Sequence, residues 1–179
     1  MLALTSLSAW ADGMSIRFEP LYGVEHSLNR YPEPERYSTR TFFGARVLAG
    51  LTLLSLEVEG NQSNGRRDLP SQNLKTEDQT QRLLIGLRST VPVSNWVGFF
   101  ARAGARGSKE KTTITDTSTL VKTVKEPPIQ WDPYAGTGIQ IALSNILAAS
   151  AGATWIFIKQ GKPDVQYTLG LTMKFGKVQ

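Results

Sequence analysis

Eight stretches of this chain alternate residue by residue between bulky apolar side chains and small or polar ones. The last shows it most plainly. Tyr167, Leu169, Leu171, Met173 and Phe175 fall on one parity, and Thr168, Gly170, Thr172, Lys174 and Gly176 on the other. A period of two belongs to a β-strand whose faces meet different surroundings. In the first stretch Ile16, Phe18, Tyr22, Val24 and Leu28 oppose Arg17, Glu19, Gly23, Glu25 and Ser27. Next, Phe43, Ala45 and Val47 oppose Arg40, Phe42, Gly44 and Arg46, and Leu56 and Val58 oppose Glu57, Glu59 and Asn61. Leu83, Ile85 and Leu87 then oppose Arg82, Gly86 and Arg88, and Phe99, Ala101, Ala103 and Ala105 oppose Gly98, Phe100, Arg102, Gly104 and Arg106. Ala135, Ile139 and Ile141 oppose Tyr134, Gly136, Gly138 and Gln140. The seventh stretch sets Leu147, Ala149, Ala151, Ala153 and Trp155 against Ser150, Gly152 and Thr154; it is the weakest, because Ile146, Ile156 and Ile158 fall on its polar parity.

The connections alternate as well. Tight turns are expected near Gly50 to Thr52, at Pro92 to Asn95 and at Ser144-Asn145, where Gly, Pro, Ser and Asn take their usual turn roles. Most other joints are long and polar, beginning at Asn29, Asn61 and Ser108; the one from Gln160 is short. Short turns at one end and long loops at the other describe an up-and-down meander in one domain. No window approaches the roughly 20 apolar residues of a membrane helix; the longest run, Ile146 to Ile158, is too short. If this chain spans a membrane, it does so as a closed barrel, because a sheet edge cannot be left in lipid.

A soluble lipocalin-like ligand carrier would alternate too, with its apolar parity inside. Four features favour the inverse. The apolar parity carries no charge until Lys159, and a charge facing mid-bilayer costs about 2–4 kcal/mol. The polar parity is rich in glycine, which weakens a solvent-facing strand but makes room in a narrow interior for neighbouring arginines. It also holds both signs, Arg17, Arg40, Arg46, Arg82, Arg88, Arg102, Arg106 and Lys174 with Glu19, Glu25, Glu57 and Glu59, and these are expected to form an interior ion network. The segments, about 9–13 residues long, suit a tilted strand crossing a bilayer. Aromatics such as Tyr22, Trp96, Trp131, Tyr134, Trp155, Tyr167 and Phe175 fall towards segment ends, where interfacial girdles sit. The expected fold is an all-β, eight-stranded, antiparallel, up-and-down transmembrane β-barrel.

The first residues fit the end of a secretory signal: an apolar run from Leu2 to Leu7, then Ala9-Trp10-Ala11 before Asp12, giving a signal over 1–11 and a barrel domain over 12–179. In "TLGLTMKF", Thr168, Gly170, Met173 and Phe175 match the polar, glycine, apolar and aromatic places of the signal read by the outer-membrane barrel-assembly machinery, although four residues follow Phe175. "DPYAGTGIQI", from Asp132, resembles a strand start of the same group. With these motifs the chain resembles the small eight-stranded outer-membrane barrels of Gram-negative bacteria, of OmpA and OmpX type. The resemblance implies a monomer in the bacterial outer membrane, both termini periplasmic, with the assembly machinery as a partner during biogenesis. It further implies a structural or surface-interaction role through extracellular loops.

Some barrels of this size modify lipid A, and such catalysis needs a nucleophile, a base and an orienting acid. The single histidine, His26, has Glu25 and Ser27 as neighbours, but consecutive strand residues point to opposite faces and cannot form a triad. Glu57 and Glu59 share a face, yet partnership with arginines explains them better than a glycosidase pair. Asp68, Asp78 and Asp116 are read as isolated in loops. There is no cysteine, no metal-ligand cluster, no phosphate loop and no nucleic-acid module, so neither cofactor nor metal is expected. Eight strands leave an interior just wide enough for side chains, which argues against anything beyond a narrow pore. In the loop from Ser108, "TTITDTSTLVKTVK" predicts a hairpin reaching beyond the membrane, whose edge could add a partner's strand. Arg66, Arg67, Lys109 and Lys111 are expected to meet lipopolysaccharide phosphates there.

Overall fold

The computed structural model describes residues 14–29, 36–69, 73–159 and 162–175. The cleavage-like Ala9-Trp10-Ala11 lies outside these, as do residues 176–179. Among the described residues nine strands form: β1 (Ser15–Asn29), β2 (Arg36–Gly50), β3 (Ser55–Leu69), β4 (Leu74–Pro92), β5 (Val97–Asp116), β6 (Lys122–Lys125), β7 (Gln130–Ala142), β8 (Leu147–Ile156) and β9 (Asp164–Phe175). Every pairing is antiparallel. The sheet runs β4-β3-β2-β1-β9-β8-β7-β5-β6, and an additional β4–β5 pairing closes eight strands into a barrel with β6 appended outside the ring.

The register fixes the geometry of closure. From Tyr22, the partners through β2 and β3 lead to Gln81 of β4, by way of Phe43 and Gln62. Going the other way, Leu169, Ala151, Ile139 and Phe99 lead to Val91 of the same strand. The two arrivals differ by ten residues, the barrel's shear. Eight strands with that stagger tilt about 40° from the axis.

Two of the three short turns, those after β4 and β7, share one construction. In "VSNWV" the Val93 N–H donates to Val97 O (2.9 Å), and Ser94 Oγ accepts from the Val97 N–H (3.1 Å). In "LSNIL" the Leu143 N–H donates to Leu147 O (2.9 Å), and Ser144 Oγ accepts from the Leu147 N–H (3.1 Å). A serine hydroxyl thus ties each reversal to the strand that follows.

At the other end the strands run longer than expected. β4 has 19 residues and β5 has 20. At about 3.3 Å per residue and that tilt, β5 climbs roughly 50 Å, against an apolar band of about 25 Å. Much of the polar stretch after Asn61, expected as a loop, is ladder: β3 and β4 stay in register from Ser55↔Arg88 to Leu69↔Leu74. Polar composition marked solvent correctly, but solvent does not end a strand whose neighbours keep its backbone bonds satisfied. For the same reason Asp68, Asp78 and Asp116 lie on strands rather than in loops. The predicted hairpin is present, with Thr112–Thr115 of β5 paired to Lys122–Lys125 of β6.

The faces are inverted relative to a soluble barrel. Leu169 (64%), Phe99 (52%), Ile85 (42%) and Leu171 (40%) are exposed, whereas Arg82 (6%) and Arg102 (4%) are buried. The carrier alternative is thereby overturned: its apolar parity would line the lumen. Two of the three out-of-phase isoleucines have a place inside, while Ile146 is exposed in the turn before β8. Ile156 is fully buried with Leu84 and Tyr134, and Ile158 packs against them, forming a small apolar plug inside the barrel. Tyr134 therefore belongs to the interior, not to an interfacial girdle; Trp96, Trp131, Trp155, Tyr22, Tyr167 and Phe175 are exposed on the outside.

Candidate functional site: a filled interior and a projecting sheet

The inward arginines stack in two tiers. In the lower tier Arg46 reaches three carboxylates, Glu59 (2.7 Å), Glu19 (3.2 Å) and Glu57 (3.5 Å). Arg88 pairs with Glu19 (3.1 Å), and Arg102 pairs with Glu59 (2.9 Å) and Glu57 (3.1 Å). Ser150 donates to Glu19, and the Tyr134 hydroxyl donates to Glu57 (3.2 Å). Arg88 lies 3.8 Å over the Phe100 ring and Arg102 lies 4.9 Å over Tyr134. In the upper tier Arg82 and Arg40 both pair with Glu25, and Arg106 bridges Asp132 (3.3 Å) and Asp164 (3.2 Å). Each tier thus sets three arginines against three carboxylates. Asn61 links them: its amide donates to Glu59 (2.8 Å), and its carbonyl accepts from Arg82 (3.5 Å).

Two members, Asp132 and Asp164, are not picked out for the network by the sequence. The two aspartates adjoin prolines at strand ends and read as turn residues. Arg17 and Lys174 point inward as a register pair at the short-turn end, below the lower tier and outside its ion pairs.

Glycines make the interior fit, but chiefly around rings. Gly138 and Gly152 face each other across β7 and β8, and a Cβ on either would overlap Phe100. Gly86 similarly leaves space for the Tyr134 hydroxyl, and Gly23 for Phe42. Arginine claims such space at Gly65, beside Arg40, and at Gly136, beside Arg102. Rings, guanidinium groups and carboxylates together fill the middle of the barrel.

The single histidine sits outside. His26 is exposed, stacks on Tyr37 (centroids 5.3 Å apart) and shares a hydrogen bond with Thr39 (3.2 Å), while Glu25 and Ser27 are buried on the other face.

Beyond the barrel, β3, β4, β5 and β6 continue as an open sheet. β2 pairs with β3 only as far as Phe42↔Ser63, so among the described residues no strand covers that edge of residues 64–69. The outer face carries Arg66, Lys109 and Lys111. Along β5 the outward series runs Ala103, Ala105, Gly107, Lys109, Lys111, so the cations begin where the apolar series stops. Lys111 pairs with Glu126 (3.0 Å), both about half exposed. Arg67 does not join this group. It lies on the opposite face, where it pairs with the buried Asp78 (2.7 Å), which also accepts from Thr112 (2.9 Å). Adjacent strand residues diverge, so Arg66 and Arg67 could not both face outward.

This architecture has solved counterparts. The attachment invasion locus protein Ail of Yersinia pestis superposes with a TM-score of 0.61 at 11% identity, covering 92% of this chain and 99% of that one. Neisserial surface protein A gives 0.60 at 12%, covering 92% and 100%. The fold is that of a small outer-membrane β-barrel. Pseudomonas aeruginosa OprG, also an outer-membrane protein, gives 0.57 at 10%, covering 92% and 97%. A further structure of Ail, in complex with the heparin analogue sucrose octasulfate, superposes on this barrel with a TM-score of 0.60. No protein-family model and no curated protein sequence matches the chain. At these identities the barrel is shared while its surface chemistry is its own.

Proposed function

We propose that this chain is a non-catalytic barrel of a bacterial outer membrane, acting through its projecting sheet on the anionic outer surface. The observation that carries the reading is the abrupt change of outward chemistry along β5. An apolar belt ends, and Lys109 and Lys111 follow, joined by Arg66 across the sheet. Cations just above a hydrocarbon boundary stand where lipopolysaccharide carries its phosphates. Ail accommodates a polysulfated sugar analogue, which supports a polyanion as the class of ligand. A structural role is supported by how fully the interior acids are used: Glu19, Glu25, Glu57 and Glu59 all serve arginines. In this reading the long-loop end is extracellular, both termini are periplasmic and the chain is monomeric. Residues 1–11 are the signal, and Thr168, Gly170, Met173 and Phe175 serve the assembly machinery; Thr168 points into the barrel and Phe175 lies exposed.

The test uses the folded barrel in vesicles with and without lipopolysaccharide. Binding that weakens with salt and falls several-fold in the double variant Arg66→Gln, Lys109→Gln is expected. Arg67→Gln, altered on the opposite face, should retain it. Equal binding by the double variant overturns the reading.

A further inference from the structure

The interior leaves one arginine out of its pairing. Six inward arginines, 40, 46, 82, 88, 102 and 106, each have a carboxylate within 4.0 Å. Arg17 has none among the described residues, though it is only 5% exposed. Its single hydrogen bond is a long one, from Nη2 to the Leu51 carbonyl (3.4 Å), and its Nε has no partner. Glu19, the nearest acid along the strand, is already held by Arg46, Arg88 and Ser150. Lys174 is the register partner of Arg17 on β9, so a second cation stands beside the first. Glu19 therefore acts on Arg17 only from a distance, and a buried guanidinium without a carboxylate in contact is costly, which points to a missing anion.

The space for one is present. A cavity of about 100 Å³ opens at the short-turn end, bounded by Arg17, Lys174, Thr52, Gln140, Thr172 and the Ser144-Asn145 turn. Among the described residues no carboxylate lines it. Thr172 is buried and its hydroxyl lacks a partner. A water takes up about 30 Å³, so the cavity has room for a small tetrahedral ion. Since both tiers are already neutral, an anion here would meet the one inward arginine that has no carboxylate within 4.0 Å among the described residues.

We propose that the short-turn mouth is a binding site for a phosphate oxyanion, with Arg17 as the principal donor, Lys174 as the second cation and the Thr172 hydroxyl as a further donor. The oxyanion is either a free phosphate or the headgroup of a phospholipid reaching into the mouth. The site lies at the opposite end from the projecting sheet, and its case does not depend on the proposed role of that sheet.

The full chain, folded in a neutral detergent, would be titrated calorimetrically with inorganic phosphate and separately with short-chain phosphatidylglycerol. Saturable one-to-one binding is expected. Arg17→Gln should weaken it about tenfold or more, the effect of losing a charged hydrogen-bond donor. Thr172→Val should weaken it about fivefold, and Lys75→Gln, at the far end, should leave it unchanged. Heat-dependent gel mobility establishes that each variant is folded; should Arg17→Gln fail that check, Thr172→Val carries the test. Binding of inorganic phosphate assigns a free oxyanion, and binding of the lipid alone assigns a headgroup. If neither binds, or if the folded site variants bind as tightly as the native chain, the proposal is overturned.

Discussion

Arg46 makes contact with three carboxylates from three directions, so its loss is felt by all of them. Replacing it with methionine removes one cation and leaves Glu19, Glu57 and Glu59 with two. A cost of about 3–5 kcal/mol in folding free energy is expected, measured by urea unfolding in phospholipid vesicles. Adding Glu59→Gln restores neutrality in the tier and should recover part of that loss. An additive double variant would show that the two side chains do not act together. Which residues face inward was legible in the sequence, because parity along a strand decides it. Who pairs with whom was not. Arg106 meets Asp164 across 58 residues only because the barrel closes with a stagger of ten, and no single strand reveals that number.

At the scale of elements, the β5–β6 turn depends on one carboxylate. Asp116 accepts hydrogen bonds from the Ser118 hydroxyl (2.6 Å) and N–H (2.8 Å) and from the Thr119 N–H (3.2 Å). The Ser118 hydroxyl, followed by these amides, pulls its pKa from 3.8 down to about 2. A folded pKa below the ordinary value means that the contribution is present in full above about pH 4 and is lost as pH falls towards 2. Amide exchange at Ser118 and Thr119 should therefore quicken, beyond its intrinsic pH dependence, across that interval. Asp116→Asn should abolish this extra change. The hairpin could be anticipated from the β-branched run at Thr112 to Thr115, because such residues favour strands wherever they are paired. The continuation of β3 and β4 past Asn61 could not. Arg66, Glu77, Asp68 and Lys75 read as loop residues, and only cross-strand pairs such as Arg66↔Glu77 and Asp68↔Lys75 make them a ladder.

For the molecule as a whole, the surface and the interior have exchanged their usual chemistry. Leu169 lies on the outer belt beside Tyr22 and Ala151. Leu169→Arg should cost about 2–4 kcal/mol in vesicles, measured by the same unfolding titration, because an outward charge there meets hydrocarbon. A negligible change would mean that this face meets water and that the membrane reading is wrong. The inversion also explains why mean apolar content, at 40%, did not betray a membrane protein. Half of each strand is apolar in either kind of barrel, and only the order of the halves differs.

The three-against-three composition of each tier has an evolutionary corollary. A lineage cannot discard one of these arginines and stay comfortable; it must surrender an acid in nearly the same step, or borrow a counter-ion from outside. Change within this lumen should therefore proceed by matched exchanges between distant strands. Among descendants of this chain, substitutions at positions 106 and 164 would be inherited as couples, while the greasy exterior drifts one residue at a time.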